Sequence, residues 1–361
     1  GGLYANYSFY GSAAGKIDGV RYSGASVLVD AHGFGKHGTL AQSQILGMTP
    51  ESDHHLTRLD TTYSLPSIKH MTNFNAGDVI SGGLSWTAPI RMGGLQMKRD
   101  FGTRPDLITT PLPSFRGSAA VPSTLEVFVN NVKQYSNDLP EGAFELQDIP
   151  TYSGSGVARI VLRDAQGRET IAEQPFYSSP NLLKPGLYDY SLEAGLPRRN
   201  QGTNSFDYDD GPAGSASLRY GLEDWLTIEG HAETMKELVN GGVGAVISAG
   251  ALGVITASAA GSLHEGAAGV QLQAGWEFNR GSFYFSASAK RGFGAYADLG
   301  IASADEEASN FALSSVEQLT LGYGFPDWHS NLGVGIVHSE SHDGSKSTIV
   351  TANFSQQLPY N

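Results

Sequence analysis

Val270-Gln271-Leu272-Gln273-Ala274-Gly275-Trp276-Glu277-Phe278 alternates from end to end: Val270, Leu272, Ala274, Trp276 and Phe278 on one side, Gln271, Gln273, Gly275 and Glu277 on the other. Successive side chains of a strand point to opposite faces, so this stretch is a β-strand with one apolar and one polar face. Phe283, Phe285, Ala287 and Ala289 repeat the pattern against Ser282, Ser286 and Ser288. Leu319, Leu321, Tyr323 and Phe325 do so against Gln318, Thr320, Gly322 and Gly324. The polar face is built of small residues, which suits a wet, spacious lumen better than a packed core. The aromatic residues Trp225, Trp276 and Phe278 stand near strand ends, where an interfacial girdle would place them. Alternation alone is shared by any half-exposed antiparallel sheet, so a soluble sandwich remains the competing reading at this point.

The composition extends this reading to the whole chain of 361 residues. Its 46 glycines and many Ser, Thr and Asn turns favour short strands and tight connections, and few stretches carry a helical apolar repeat. The longest small-residue run, Gly241 to Gly261, is too interrupted for a transmembrane helix. A barrel strand needs only about ten alternating residues, so the mean hydropathy of -0.21 is compatible with a membrane. The net charge of -13 and the lack of a basic patch speak against nucleic acid as a partner. With no cysteine, disulfide frameworks and thiolate chemistry are excluded. A strand-like segment begins almost at Gly1, and the chain is read as part of a longer protein.

The middle differs in kind. Pro105, Pro111, Pro113 and Pro122 crowd a short tract that ends one strand system before another begins. Beyond it Leu125, Val127 and Val129 alternate, Asn130-Asn131 offers a turn, and Phe144, Leu146 and Ile149 follow the break Leu139-Pro140-Glu141-Gly142. Asp164-Ala165-Gln166-Gly167 reads as a hairpin turn, and Pro175, Pro180 and Pro185 close the segment. Roughly sixty residues with their own apolar face can make a minimal sandwich. The expected organisation is therefore strands over 1–115, a module over 116–180, and further strands over 181–361.

Catalytic and metal readings find little support. Adjacent residues of Asp53-His54-His55 point to opposite faces, and no third ligand follows at a useful spacing. Gly154-Ser155-Gly156 and Gly241 to Gly253 do not join a strand to a helix as a phosphate loop must. They read as turns and small lumen residues. The acidic groups Asp207, Asp209, Asp210 and Asp305, Glu306, Glu307 read as solvated loops rather than cation sites. No nucleophile motif accompanies the scattered histidines. Neither an enzyme nor a cofactor is expected.

Four strings carry a family resemblance. Ala76-Gly77-Asp78-Val79-Ile80-Ser81, with Trp86, Ile90 to Gln96 and Arg99-Asp100-Phe101, precedes the module. Pro111-Leu112-Pro113 and Gly117 to Asn130 open it, and Leu139 to Pro150 with Asp164 to Gly167 forms its centre. Tyr177-Ser178-Ser179, Leu182-Leu183, Gly186-Leu187, Asp189-Tyr190-Ser191, Gly195 and Arg198 leave it. Together they resemble the fimbrial outer-membrane usher family. Ala143 departs from it, since the family often has a second proline there. Arg104 to Pro113 also resembles ushers of the archaic lineage that serve spore-coat-like subunits.

The resemblance implies an all-β fold, a transmembrane antiparallel β-barrel with an inserted β-sandwich plug, in the outer membrane of a Gram-negative bacterium. It further implies secretion of pilus subunits delivered as chaperone–subunit complexes, and it allows a homodimer. Pro122, Leu125, Val127, Val129, Pro140, Gly142, Phe144, Leu146, Ile149, Asp164 and Gly167 would form the plug core and gate. Pro105, Pro111, Pro113, Pro175, Pro180 and Pro185 would form its linkers. The alternation supports about sixteen strands, fewer than such a pore requires, so the barrel should be incomplete. A passive porin and a secreted sandwich adhesin are the alternatives; the inserted module argues against the first, and interfacial aromatics against the second.

Overall fold

The computed structural model describes residues 1–361 except 18–19, 50–51, 113–114, 130–131, 147–148, 150–153, 165, 167, 305–311 and 358–361. Twenty-two strands are described, and helix is confined to single turns and the short α1, Leu299–Ala302. Six strands lead: β1 Gly2–Ile17, β2 Val20–Gly35, β3 Gly38–Thr49, β4 Ser52–Ser67, β5 Thr72–Ile80 and β6 Arg91–Arg99. The module holds β7 Phe115–Ala119, β8 Ser123–Val129, β9 Val132–Leu139, β10 Gly142–Leu146, β11 Gly154–Asp164 and β12 Glu169–Ser178. Ten strands follow: β13 Tyr188–Pro197, β14 Ala213–Glu223, β15 Leu226–Met235, β16 Leu238–Ser248, β17 Val254–His264, β18 Ala267–Arg280, β19 Phe283–Gly294, β20 Leu313–Phe325, β21 Ser330–Ser341 and β22 Lys346–Gln356.

Sixteen of these strands, β1 to β6 and β13 to β22, form one antiparallel wall in which each pairs with the next in the chain. The single skip is at the module: β6 pairs directly with β13, Gln96 opposite Glu193. The insertion therefore leaves the wall's hydrogen bonding continuous. Among the described residues β1 and β22 each have one wall neighbour, so the sheet is not closed, as the strand count led us to expect.

Period-two alternation fixes which side chains face in. In β15, Thr227, Glu229, His231 and Glu233 are buried on the inner face, while Ile228 on the other face is exposed. In β18 the exposed Val270, Leu272 and Trp276 line the outer face against inward Gln271 and Gln273. This is the reverse of a soluble protein's burial, and it is the arrangement lipid demands.

The connections define two mouths. One carries the short turns 36–37, 68–71, 224–225, 249–253 and 281–282 together with both module linkers. The other carries the longer loops 81–90 and 198–212 and the segment that starts at 295, along with the tight turns 236–237 and 265–266. Short turns lie on the periplasmic side of such barrels and long loops outside, which orients the linker mouth toward the periplasm.

In the module, β9, β8, β11 and β12 form one sheet and β7 pairs with β10 in a second. Between them lies an apolar core of Phe115, Leu125, Val127, Val129, Leu146, Ile149, Ala158, Ile160 and Phe176. The core is local to this segment, and each of these residues belongs to 115–176.

Candidate functional site

The module carries the expected plug residues in three distinct settings. Leu125, Val127, Val129, Leu146 and Ile149 are buried in its core, with Phe144 half-buried against them. Pro122, Pro140 and Gly142 are exposed at the connections, where Gly142 adopts a φ of 126° that an L side chain resists. Asp164 ends β11 and accepts hydrogen bonds from the Gln166 and Arg168 amides, both at 2.9 Å, and from Arg168 Nε at 2.7 Å. Desolvation would raise its pKa, but these donors prevail and hold the carboxyl below its ordinary value. Gly167 and the Asn130-Asn131 turn lie outside the described residues.

The linkers are less free than their prolines suggest. Pro105 and Pro180 are exposed in turns, Pro185 is exposed, and Pro111 is buried; Pro113 lies outside the described residues. Pro175, expected in a linker, instead sits inside β12 opposite Val157. β12 is an edge strand, the position at which a residue without an N–H is tolerated. The outgoing linker is fastened to the wall: Leu182 packs with Val246 and Val254, and the Leu183 amide donates to the buried Thr227 hydroxyl at 2.8 Å. The Lys184 amide donates to Thr109 O at 2.7 Å, tying the two linkers together. The module meets the wall at the linker mouth, through a parallel bridge from Ser155 to Arg280 and through β12 against the turn 250–252.

Over β13 to β18 the wall interior is not the wet face that its composition suggested, whereas Gln318 and Thr320 of β20 stay exposed. Loop 81–90 folds inward and supplies partners to several of the wall's buried polar groups. Trp86 is 1% exposed, and its indole Nε1 donates to Glu229 Oε2 at 3.0 Å while Gln271 Nε2 donates to its carbonyl at 2.9 Å. The Gly82 amide donates to Glu193 Oε1 at 2.9 Å, and Gln96 Nε2 reaches the same oxygen at 2.8 Å. A Cβ on Gly244 would stand 2.7 Å from Trp86 Nε1, so the loop lies this close only because that wall position is bare. Gly241, Gly242 and Gly244 thus belong to β16 rather than to a turn, whereas Gly250 and Gly253 do sit in one.

A second inward segment, 295–303, is tied to the same network. Glu233 Oε2 accepts the Leu299 amide at 2.9 Å, and Asn240 Nδ2 donates to Ala297 O at 2.8 Å. Leu299 is fully buried with Val79, Met92 and Leu238, an apolar cap over the polar layer. His231 joins the two segments. The Ser217 hydroxyl donates its only proton to Gly82 O at 2.6 Å, so His231 Nδ1, 2.9 Å from Ser217 Oγ, is assigned from the network as the donor to it. His231 Nε2 faces Glu233 Oε1 at 2.9 Å. Sequence reading had quoted Trp86 but assigned the network no role. Glu229, His231 and Glu233, polar and ionisable at every second position on an inner face, were the signal available.

The remaining expectations resolve simply. Trp225 and Trp276 are exposed at 53% and 45%, on or beside the outer face at the linker mouth, with Phe278 one outward position beyond Trp276. Asp207 and Asp209 face Arg199 at 3.3 and 3.8 Å, so that acidic turn is met by the chain's own cation. The side chains of Asp53 and His54, and residues 305–307, lie outside the described residues. No cluster of metal-ligating side chains occurs among the described residues.

The family model described as outer membrane usher protein matches residues 51–358. The chain belongs to the outer membrane usher family. As an usher it is a transmembrane β-barrel protein of the Gram-negative outer membrane. It is 27% identical over 160 residues to the outer membrane usher protein FocD of Escherichia coli, 44% of this chain and 17% of FocD. It spans about a fifth of the length of the curated ushers it matches. The fold is that of the P pilus usher PapC translocation pore, with a TM-score of 0.60 at 15% identity, covering 99% of this chain and 75% of that one. A P pilus tip assembly intermediate of E. coli, PapC-PapD-PapK-PapG, gives a TM-score of 0.69 at 15% identity over 99% of this chain and 46% of the other.

Proposed function

We propose that the usher of which this chain is part secretes and assembles pilus subunits received as chaperone–subunit complexes. In this reading the wall strands of 1–115 and 181–361 line the conduit and the module over 116–180 is its gate. The observation that carries the gate is topological. The module is inserted between β6 and β13, which are hydrogen-bonded neighbours, so its displacement leaves the pairing of wall strand to wall strand intact and gives up only its contacts at the mouth, the Ser155–Arg280 bridge and β12 against 250–252. Its own core accompanies it, and a body with a private core moves as a unit. The tightly fastened outgoing linker puts the hinge at that mouth. Trp225, Trp276 and Phe278 mark the periplasmic membrane boundary, where amphipathic rings partition.

The test is conductance across a planar bilayer. Full-length protein with 115–178 replaced by a flexible linker should conduct far more than the intact protein, and cells carrying it should become sensitive to large antibiotics. If the deleted form inserts normally and conducts no more, the module does not occlude the pore and the gating role is wrong. If the intact protein already conducts as an open channel and subunits are not exported, a passive porin is the better description.

A further inference from the structure

We infer that the outer face of β4, β5, β6 and β13 is a binding site for one anionic phospholipid of the periplasmic leaflet, of the phosphatidylglycerol class. The inference rests on the barrel's membrane location, not on the gating reading. Two cavities on this face are joined. The first, of about 460 Å³, is an apolar groove whose floor is Ala76 and Ala194 and whose sides are Tyr63, Phe74, Met97 and Leu192. The small floor residues sit on the outward alternation of β5 and β13, so the groove is cut into the lipid-facing surface. Its width and lining fit an acyl chain.

The second cavity, of about 500 Å³, shares Phe74 and Met97 with the first and continues it toward the linker mouth. Its chemistry is different: Lys69, His70 and Arg99 stand with Tyr188 and Tyr190. The Arg99 guanidinium lies 4.7 Å from the Tyr188 ring centroid and 5.2 Å from that of Phe101, and Nη1 donates to His70 O at 3.0 Å. Its Nε is buried with no hydrogen-bond partner. Among the described residues neither Arg99 nor Lys69 makes an ion pair, although most arginines of the wall do. Two cations without an ion-pair contact, at the aromatic level of a membrane wall and directly below an apolar channel, complement a phosphate with an acyl tail. A zwitterionic headgroup would bring an ammonium beside Lys69 and lose part of that attraction. A soluble phosphate would leave the groove unused.

Full-length protein in micelles containing equal phosphatidylglycerol and phosphatidylethanolamine would be stripped of loosely held lipid, and bound lipid counted by native mass spectrometry. One phosphatidylglycerol should be retained in preference. Replacing both cations (K69Q with R99Q) should lower its retention roughly twenty-fold without changing phosphatidylethanolamine, at about fivefold per charge. Filling the floor (A194F) should lower retention of both lipids. Heat-modifiable gel mobility reports whether each barrel is folded, and R99Q alone, with about a fivefold loss, serves if the double variant does not fold. Unchanged phosphatidylglycerol retention in the folded charge variants, equal retention of the two lipids, displacement by free glycerol phosphate, or occupation of the face by a second protein copy would each overturn the inference.

Discussion

The module core and the polar layer of the barrel interior bury side chains by opposite means. The module buries Phe115, Leu125, Val127 and Val129 fully, all apolar, from strands close in sequence. The interior buries Glu193, Glu229, His231 and Glu233, none apolar, against residues of loop 81–90 and segment 295–303 that are far away in the chain. Apolar burial is non-directional and tolerates sliding as a unit. Polar burial is directional, and each lost partner exposes the full desolvation cost of the group left behind. The difference teaches where motion is cheap: the module can leave its mouth with its core intact, whereas loop 81–90 cannot leave the lumen without taking a donor from the buried carboxylates of Glu193 and Glu229.

The largest expected effect tests the module's independence. Leu125→Ala removes a fully buried core side chain and should destabilise a 115–178 fragment by about 2–5 kcal/mol, read by denaturant unfolding, while the wall's heat-modifiable mobility stays unchanged. Equal damage to wall and module would show that the two cores are one. A random-coil circular dichroism spectrum for the parent fragment would end the comparison altogether.

The next tests the directionality of the interior. Trp86→Phe keeps the ring and deletes the indole donor to Glu229, with an expected cost of about 1–3 kcal/mol. Hydrogen exchange at Gly82 and Leu84 should accelerate while amides of β8 keep their protection. His231→Gln should have a similar but smaller effect, since an amide can replace one of its two contacts, and it should loosen loop 81–90 and segment 295–303 together. Loosening of only one of them would mean that His231 does not couple them.

The smallest effect is at Asp164. Its carboxyl is held below its unfolded value, so its contribution is present above the unfolded pKa and is lost as pH falls through the folded one. Asp164→Asn should lower the module's melting temperature slightly at neutral pH. The gap between variant and parent should close in acid, below the ordinary carboxylate range. A gap that persists there would assign the effect to the amide's poorer capping rather than to charge.

Alternation in β18 and the proline-flanked string from Pro122 to Ile149 were enough to mark the wall strands and the module, because period two and turn chemistry act between residues near in sequence, whereas the membrane came with the family resemblance. The buried alternate residues Leu125, Val127 and Val129 were legible for that reason. Pro175 was misplaced because an edge strand and a linker make the same demand on proline.

What only the tertiary structure decided is what the polar face meets. The polar face read as a wet lumen, and nothing local to Ser217 and Glu229 announces that Gly82 and Trp86, distant in the chain, fold in to meet them. The groove beside Arg99 is likewise invisible in sequence. Its floor, Ala76 and Ala194, comes from two strands on either side of β6, and only the β6–β13 pairing across the inserted module brings them to one surface. Strand character is a property of spacing, and the sequence determines it alone; partners across the lumen and along the outer face depend on which strands the register brings together.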